Sequence, residues 1–242
     1  MKGDPLPSLL HGAVPVRCVA FDAVGTLIYP EPSVSRVYWD AGRQHGSQQS
    51  LEQVRAGFSQ VFQDLAKGDR GDYSTSEAEE QARWRQIVRR VLFDTRDPDA
   101  CFELLHAHFA QPAAWRAFPD VVETLERLAE QGIEVLVASN FDERLHRLCD
   151  QLPELRPLRK RVISASIGWH KPSPNFYAHL VRIAGCAGEQ ILMVGDDYDN
   201  DVAAAKSSGL RAVWINREAA KQPDAISDLR ELSRLYTPRG LE

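Results

Sequence analysis

The sequence lacks long uncharged hydrophobic runs, and this absence argues against membrane insertion. No stretch of about 18 residues is free of charged side chains, which is the length a membrane-spanning helix requires. Near the N-terminus, Leu9 and Leu10 form an apolar pair among several prolines, which is too short for the apolar region of a signal peptide. We therefore expect a cytoplasmic protein without a membrane partner.

Positive charge and paired cysteines are also scarce. Lys and Arg number 29 against 34 Asp and Glu, a formal charge of −5, which disfavours nucleic-acid binding through phosphate neutralisation. The four cysteines are widely spaced and form none of the Cys-x-x-Cys pairs that zinc sites use. Buried free thiols in a reducing compartment are the expected state.

A short apolar run at residues 18–21 is followed directly by Asp22. Its composition predicts a buried parallel strand, and open α/β sheets bind their ligands beyond the carboxyl ends of such strands. Gly25 and Thr26 fit a tight turn whose backbone N–H groups face an anion. Asp22 is thus a candidate functional carboxylate, although an aspartate at a strand end can also serve only as a turn or cap residue.

Residues 31–111 carry helical periodicity without a convincing strand. Aromatic residues such as Phe58, Phe62 and Trp84 recur along these helices, and we interpret them as core of the helical segment rather than as a substrate platform. This segment predicts a helical insertion of about 80 residues.

After Pro119, helices and strands alternate, which argues for parallel pairing. Strands are predicted at 133–139, 161–165, 191–195 and 211–215. Helices are predicted through Val121 to Leu128, over 143–152, 175–184 and 201–208, and on Ile226, Leu229, Leu232 and Leu235. The fold class is therefore α/β, with a doubly wound parallel-sheet core (1–30 and 112–242) and an inserted helical domain (31–111). Residues 1–15 are predicted to be a loose arm.

Three further groups of polar residues follow predicted strands. Ser139 and Asn140 end one strand and could hold an oxyanion, although a serine there is often a helix cap. Lys171 lies in a loop stiffened by two prolines; a solvated loop lysine is the alternative. Four aspartates within six residues, at positions 196, 197, 199 and 201, suit a hard cation such as Mg²⁺, and a wet acidic loop is the alternative.

Together these motifs resemble those of the haloacid dehalogenase (HAD)-like hydrolases, subfamily I, whose Rossmann-like core carries a helical C1 cap. The matching stretches are Asp22-Ala-Val-Gly-Thr-Leu, Ser139-Asn140, Lys171-Pro-Ser-Pro and Gly195-Asp-Asp-Tyr-Asp-Asn-Asp201. The resemblance implies an Asp22 nucleophile, a catalytic Lys171, and substrate binding by Gly25, Thr26, Ser139, Asn140 and Lys171. It also implies that Asp22, the carbonyl of Val24, Asp196 and Asp201 hold Mg²⁺, with Asp197 acting through water or hydrogen bonds.

The sequence departs from this family at Val24, where the phosphatases carry a second, acid–base aspartate. The resemblance therefore leaves three functions open. The first is a weak or specialised Mg²⁺-dependent hydrolase of a small phosphorylated compound. The second is a reaction like that of the dehalogenases, which work without Mg²⁺, or of phosphonatase, whose cap lysine would here be Lys67. The third is a binding or regulatory module. A monomer or homodimer is expected.

Overall fold

The central strand of the sheet, β1 (Cys18–Phe21), is completely buried, as its apolar sequence predicts. The computed structural model describes residues 14–68, 71, 73–217 and 225–235, without the side chains at 63, 66–68 and 233–235. Most of the predicted N-terminal arm lies outside these residues. β1 pairs in parallel with a strand on each side, which explains why both of its faces are apolar.

Besides β1, the parallel strands are β4 (Glu134–Ser139), β5 (Lys160–Ile163), β6 (Ile191–Gly195), β7 (Arg211–Ile215) and β8 (Ala225–Ile226). Among the described residues these six strands form one sheet, in the order β5-β4-β1-β6-β7-β8. The chain runs outward from β1 through β4 to β5, then crosses to β6 on the other side of β1. This change of direction creates a crevice at the carboxyl ends of β1, β4 and β6, where open α/β sheets bind ligands.

Alternation along β1 divides the core into two layers. Val19 and Phe21 point to one layer and Cys18 and Ala20 to the other. Helices pack on the sheet at α5 (Val121–Glu130), α6 (Arg144–Gln151), α7 (Ser164–Ile167), α8 (Pro174–Ala184) and α9 (Ala204–Ser207). The doubly wound α/β fold expected from the sequence is confirmed.

The described part of the insertion between β1 and β4 contains four helices: α1 (Val34–Gln44), α2 (Leu51–Gly68), α3 (Glu77–Val91) and α4 (Pro98–Phe109). We call these the insertion helices. They have their own hydrophobic cluster, which includes Tyr38, Val54 and Ile87. A short antiparallel ladder of β2 (Ile28–Pro30) and β3 (Trp115–Ala117) joins the two chain passages beneath them. The sequence pattern does not predict this ladder, because a strand of three residues is too short to show an alternation of apolar and polar side chains.

The end of the chain differs from the sequence prediction. Ile226 lies in β8, and Leu229–Leu235 is a 3₁₀ segment, so the single final helix on these residues is wrong. The predicted strand 161–165 ends at Ile163, because residues 164–167 turn into α7. The predicted helix 201–208 begins instead as a π-helical turn, Tyr198–Ala203. No helix among the described residues has the length and apolarity needed to cross a membrane.

A buried ion pair ties the C-terminal part of the described chain to the turn that follows β1. Arg217 donates two hydrogen bonds to Asp120, at 2.9 and 3.1 Å, and one to the Thr26 carbonyl at 2.6 Å. The same Asp120 carboxylate accepts the Leu229 N–H at 2.7 Å. Because Asp120 is only 1 % exposed, its charge depends on these partners.

Replacing Asp120 by alanine is expected to lower the free energy of unfolding by about 3–5 kcal/mol, because the Arg217 guanidinium loses its carboxylate while it stays largely buried. Urea denaturation measures the change. The matched control is Asp40→Ala, which breaks an exposed pair with Arg36 and should lower the free energy by less than about 1 kcal/mol. Equal losses in the two variants would contradict the importance of the buried pair.

Candidate active site

Asp22 follows β1 directly and lies at the centre of the crevice. Its Oδ1 accepts a hydrogen bond from Ser139 Oγ at 3.0 Å and another from Lys171 Nζ at 2.7 Å. Ser139 is the last residue of β4, so the parallel register with β1 brings the two side chains together. The structure thus brings Ser139 and Lys171 to Asp22, although they are 117 and 149 positions away from it in the sequence.

Lys171 is almost fully buried, and its ammonium group contacts three oxygens. Besides Asp22, Nζ donates to Asp201 Oδ1 at 2.5 Å and to the Ala138 carbonyl at 3.0 Å. Burial alone would lower the pKa of Lys171, but the carboxylates of Asp201 and Asp22 outweigh it and hold the pKa well above its usual value. Lys171 is therefore a permanent cation at neutral pH.

Asn140 positions the lysine rather than touching Asp22. Its side-chain amide donates to the Lys171 carbonyl at 2.9 Å, and its Oδ1 accepts the Lys171 N–H at 2.7 Å. These two bonds fix the loop between α7 and α8 against the end of β4. Substrate binding by Asn140 stays a prediction, as does that by Ser139.

Asp22, Asp196 and Asp201 form an acidic cluster in which one oxygen from each lies within 4.8 Å of the others. Partial desolvation, and then the neighbouring Asp22 carboxylate, raise the pKa of Asp196 above its usual range. Burial also raises the pKa of Asp201 above its usual range, although Lys171 opposes it. Three carboxylates and one ammonium leave two negative charges uncompensated when all are ionised, so a hard divalent cation fits this donor set.

Two glycines make room for the acidic cluster. A Cβ on Gly25, whose φ is +86°, would lie 2.2 Å from Asp196 Oδ2, and a Cβ on Gly195 would lie 2.0 Å from Asp201 Oδ2. Any side chain at either position would displace a carboxylate. Gly25 therefore serves the site by its small size.

The prediction that the backbone N–H of Gly25 faces an anion is wrong. That N–H donates to the Ile28 carbonyl at 2.8 Å, because the turn closes on itself. Thr26 is fully buried, and its hydroxyl lies 3.4 Å from Asp196 Oδ1. The Thr26 side chain therefore contacts an acidic residue of the site, and a direct contact with substrate stays a prediction.

Asp197 stabilises the loop that carries the acidic cluster. Its carboxylate accepts the Asn200 N–H at 3.0 Å and the Asn200 side-chain amide at 2.7 Å, which caps the π-helical turn. Its own N–H donates to Asp201 Oδ2 at 3.1 Å. Asp197 thus holds Asp201 in place through the backbone.

A cavity of about 520 Å³ opens above these residues, between the sheet and the insertion helices. On the sheet side it is lined by Asp22, Val24 and Lys171. On the opposite side α3 contributes Glu80, Arg83, Trp84 and Ile87, which the sequence analysis did not identify as functional residues. Their i, i+3, i+4, i+7 spacing places two charged residues and two apolar residues on one face of the helix. Charged residues on an otherwise apolar face were the sequence feature that could have indicated a functional role.

Comparison with known proteins agrees with the fold. The family model described as haloacid dehalogenase-like hydrolase matches residues 16–209. The chain therefore belongs to the haloacid dehalogenase-like hydrolases, as the motif resemblance indicated.

Individual relatives extend over most of the chain. Haloacid dehalogenase-like hydrolase domain-containing protein 3 of Danio rerio is 28% identical over 210 residues, covering 85% of this chain and 87% of the relative. The phosphoserine phosphatase of Thermus thermophilus is 26% identical over 238 residues, covering 89% and 95%. The magnesium-bound HAD-hydrolase YfnB of Bacillus subtilis has the same fold, with a TM-score of 0.75 at 14% identity over 92% of this chain and 99% of that one.

Replacing Lys171 by methionine is expected to destabilise the protein by about 3–5 kcal/mol, because two buried carboxylates lose their shared cation. Adding Asp201→Asn to that variant should restore part of the loss, since one of the two unpaired charges is removed. Urea denaturation in the presence of a chelator measures this double-mutant cycle. Additive losses from the two substitutions would show that Lys171 and Asp201 are not coupled.

Proposed function

We propose that this hydrolase is a Mg²⁺-dependent phosphohydrolase that acts on a small phosphorylated compound through an aspartyl-phosphate on Asp22. The observation that carries the proposal is the arrangement around the nucleophile. Within the described residues, the hydrogen bonds donated to the Asp22 carboxylate come from Ser139 and Lys171 and end on Oδ1. Oδ2 is then left to attack phosphorus.

The reaction would proceed in two displacements. Asp22 Oδ2 forms a bond to phosphorus while the bond from phosphorus to the leaving oxygen breaks, and the electron pair departs with that oxygen. Water then attacks the phosphoryl group, the bond between Asp22 Oδ2 and phosphorus breaks, and inorganic phosphate leaves while the proton of the attacking water passes to solvent. Lys171 stabilises negative charge beside Asp22 in both displacements.

The acidic cluster supports the choice of Mg²⁺. Asp22, Asp196 and Asp201 would hold the ion, with the Val24 carbonyl as a further oxygen ligand. When bound, Mg²⁺ would offset the charge of the transferring phosphoryl group. The phosphatase relative from Thermus thermophilus supports the same reaction class.

The insertion helices are proposed to be the cap, with boundaries at residues 31 and 111. Trp84 and Arg83 of α3 line the cavity opposite the nucleophile, so substrate between them is shielded from bulk water. Thr75 N–H donates to the Gly168 carbonyl, and His170 N–H donates to the Tyr73 carbonyl, both at 3.0 Å. The cap therefore contacts the loop that carries Lys171.

Val24 limits the class of substrate. An alkyl phosphate leaves as an alkoxide, which needs a proton at neutral pH, and an isopropyl group cannot donate one. Acyl phosphates release a carboxylate and aryl phosphates release a phenolate. Both are weaker bases than an alkoxide, so they need less acid assistance. The proposed substrates are therefore those with good leaving groups.

The metal-independent dehalogenase reaction is less well supported than phosphoryl transfer. In a reaction that uses no cation, Asp196 and Asp201 would have no ion to hold beside Asp22. The phosphonatase alternative depends on Lys67, whose side chain lies outside the described residues. A binding or regulatory module would leave the nucleophile and its lysine without a chemical role.

The direct test is phosphate release from acetyl phosphate and p-nitrophenyl phosphate. Turnover should require Mg²⁺, stop on chelation, and fall below detection in Asp22→Asn, because an amide is not a nucleophile here. Asp150→Asn, at an exposed residue on α6, is the matched control and should keep activity. Release of chloride from 2-chloropropionate without added metal, with no phosphate release, would instead favour the dehalogenase reaction.

The substitution Val24→Asp tests the missing acid. It should accelerate hydrolysis of an alkyl phosphate such as glycerol phosphate by about 10²–10⁴, the usual contribution of general acid–base catalysis. The same substitution at an exposed residue of α5, Val122→Asp, should have no effect. If both variants remain inactive on alkyl phosphates while acetyl phosphate turns over, proton transfer is not the missing step.

A further inference from the structure

A second cavity lies beside the catalytic one and has a different chemistry. It has a volume of about 300 Å³ and is enclosed by the insertion helices and the end of β4. Val24, Phe62, Trp84 and Asn140 line both cavities, so the two share a wall that includes the residue departing from the family pattern. We call the second cavity the apolar chamber.

Aromatic side chains dominate the apolar chamber. Tyr38, Phe58, Phe62 and Trp84 come from the insertion helices, and Trp115 and Phe141 from the sheet side. Phe58 and Phe62 stack with ring centroids 4.6 Å apart, and Trp84 lies 6.0 Å from Phe62. Such a surface favours a flat apolar group, because ring–ring contacts add to the hydrophobic gain of burial.

The polar residues of the chamber do not make it an anion site. Arg144 donates to both oxygens of Asp142, at 2.8 and 2.5 Å, and to the His106 carbonyl at 3.2 Å. Its charge is therefore already neutralised by a fully buried partner. The part of a ligand that this lining recognises is therefore uncharged, and a charged oxygen would stay in the neighbouring polar cavity.

We propose that the apolar chamber binds the leaving group of the substrate and that this group is aromatic. The inference rests on the proposed phosphoryl transfer at Asp22, because Val24 occupies the position from which the family's acid serves the leaving oxygen. A group leaving past Val24 would enter the chamber directly. An aromatic leaving group matches both the lining and the lack of an acid, since phenolates and aromatic carboxylates leave without full protonation.

The volume agrees with this assignment. An engineered apolar cavity of about 150 Å³ is large enough to bind benzene. The chamber, at about 300 Å³, has room for one substituted ring. It is too small for a polymer or for a dinucleotide.

Acetyl phosphate and benzoyl phosphate provide a matched pair of substrates, because both release a carboxylate and differ in the ring. With Mg²⁺, kcat/KM for benzoyl phosphate should exceed that for acetyl phosphate by about tenfold or more, as burial of the ring predicts. Equal values for two turned-over substrates would overturn the chamber assignment and leave the phosphohydrolase intact.

Filling the chamber should remove this preference. Val34 lines the chamber and is only partly buried, so Val34→Phe can be accommodated near the protein surface. The benzoyl-to-acetyl ratio should fall by about fivefold or more in this variant. Val122→Phe on α5 is the matched control and should keep the native ratio. If Val34→Phe does not fold, Phe62→Ala should lower the ratio instead, because it removes a ring that lines the chamber. Since that ring is 39% exposed, its loss should leave the protein folded.

A binding measurement separates the chamber from catalysis. Benzylphosphonate and methylphosphonate cannot be hydrolysed by this route, and calorimetry with Mg²⁺ gives their dissociation constants. Benzylphosphonate should bind at least about tenfold more tightly, and Val34→Phe should reduce that difference. This result without any phosphatase turnover would support the chamber and contradict the proposed function. Equal affinities would overturn the chamber even in an active enzyme.

Discussion

One buried ammonium group organises the whole site. Lys171 Nζ contacts Asp22, Asp201 and the Ala138 carbonyl, so a single cation connects the ends of β1 and β4 with the turn after β6. Removing it would leave buried carboxylates facing each other at short range. The two negative charges that remain when all four groups are ionised fit a divalent cation, and in the proposed function that cation would offset the charge of the phosphoryl group.

The insertion helices complete this site with a second environment. The sheet supplies charge, and the helices supply aromatic surface, with Val24 at the boundary between them. In the proposed function, the transferred group remains in the polar cavity while the departing group occupies the apolar one. The loss of an acidic side chain at position 24 is then part of substrate selection, because a carboxylate there would border the aromatic lining.

The sequence predicted those features that follow from local pattern. The buried strand before Asp22, the alternation of helices and strands, and the parallel register that gathers strand ends at one edge all follow from periodicity. Lys171 and the acidic loop were found because prolines and clustered aspartates are unusual locally. Gly25 was assigned a donor role, whereas its function is to leave space for Asp196, a contact over 171 positions that no local pattern encodes.

Other features depend on tertiary contacts in the same way. Helical period showed which residues of α3 share a face, but not that this face meets a cavity, so Arg83 was missed and Trp84 was assigned to core. Phe58 and Trp84 do pack against the cluster of the insertion helices, and they also line the chamber. The final segment was predicted as a helix because its leucines are spaced suitably, whereas Ile226 pairs with β7 and Leu229 donates to Asp120.

The Arg217 ion pair also bears on where the functional unit ends. The family model matches up to residue 209, but Arg217 lies beyond it and donates to the carbonyl of Thr26, four residues after Asp22. A chain shortened to the matched segment would retain every motif residue and lose the guanidinium that holds the turn after β1. The structural support of the candidate site therefore extends beyond the matched segment, to Arg217 and Leu229.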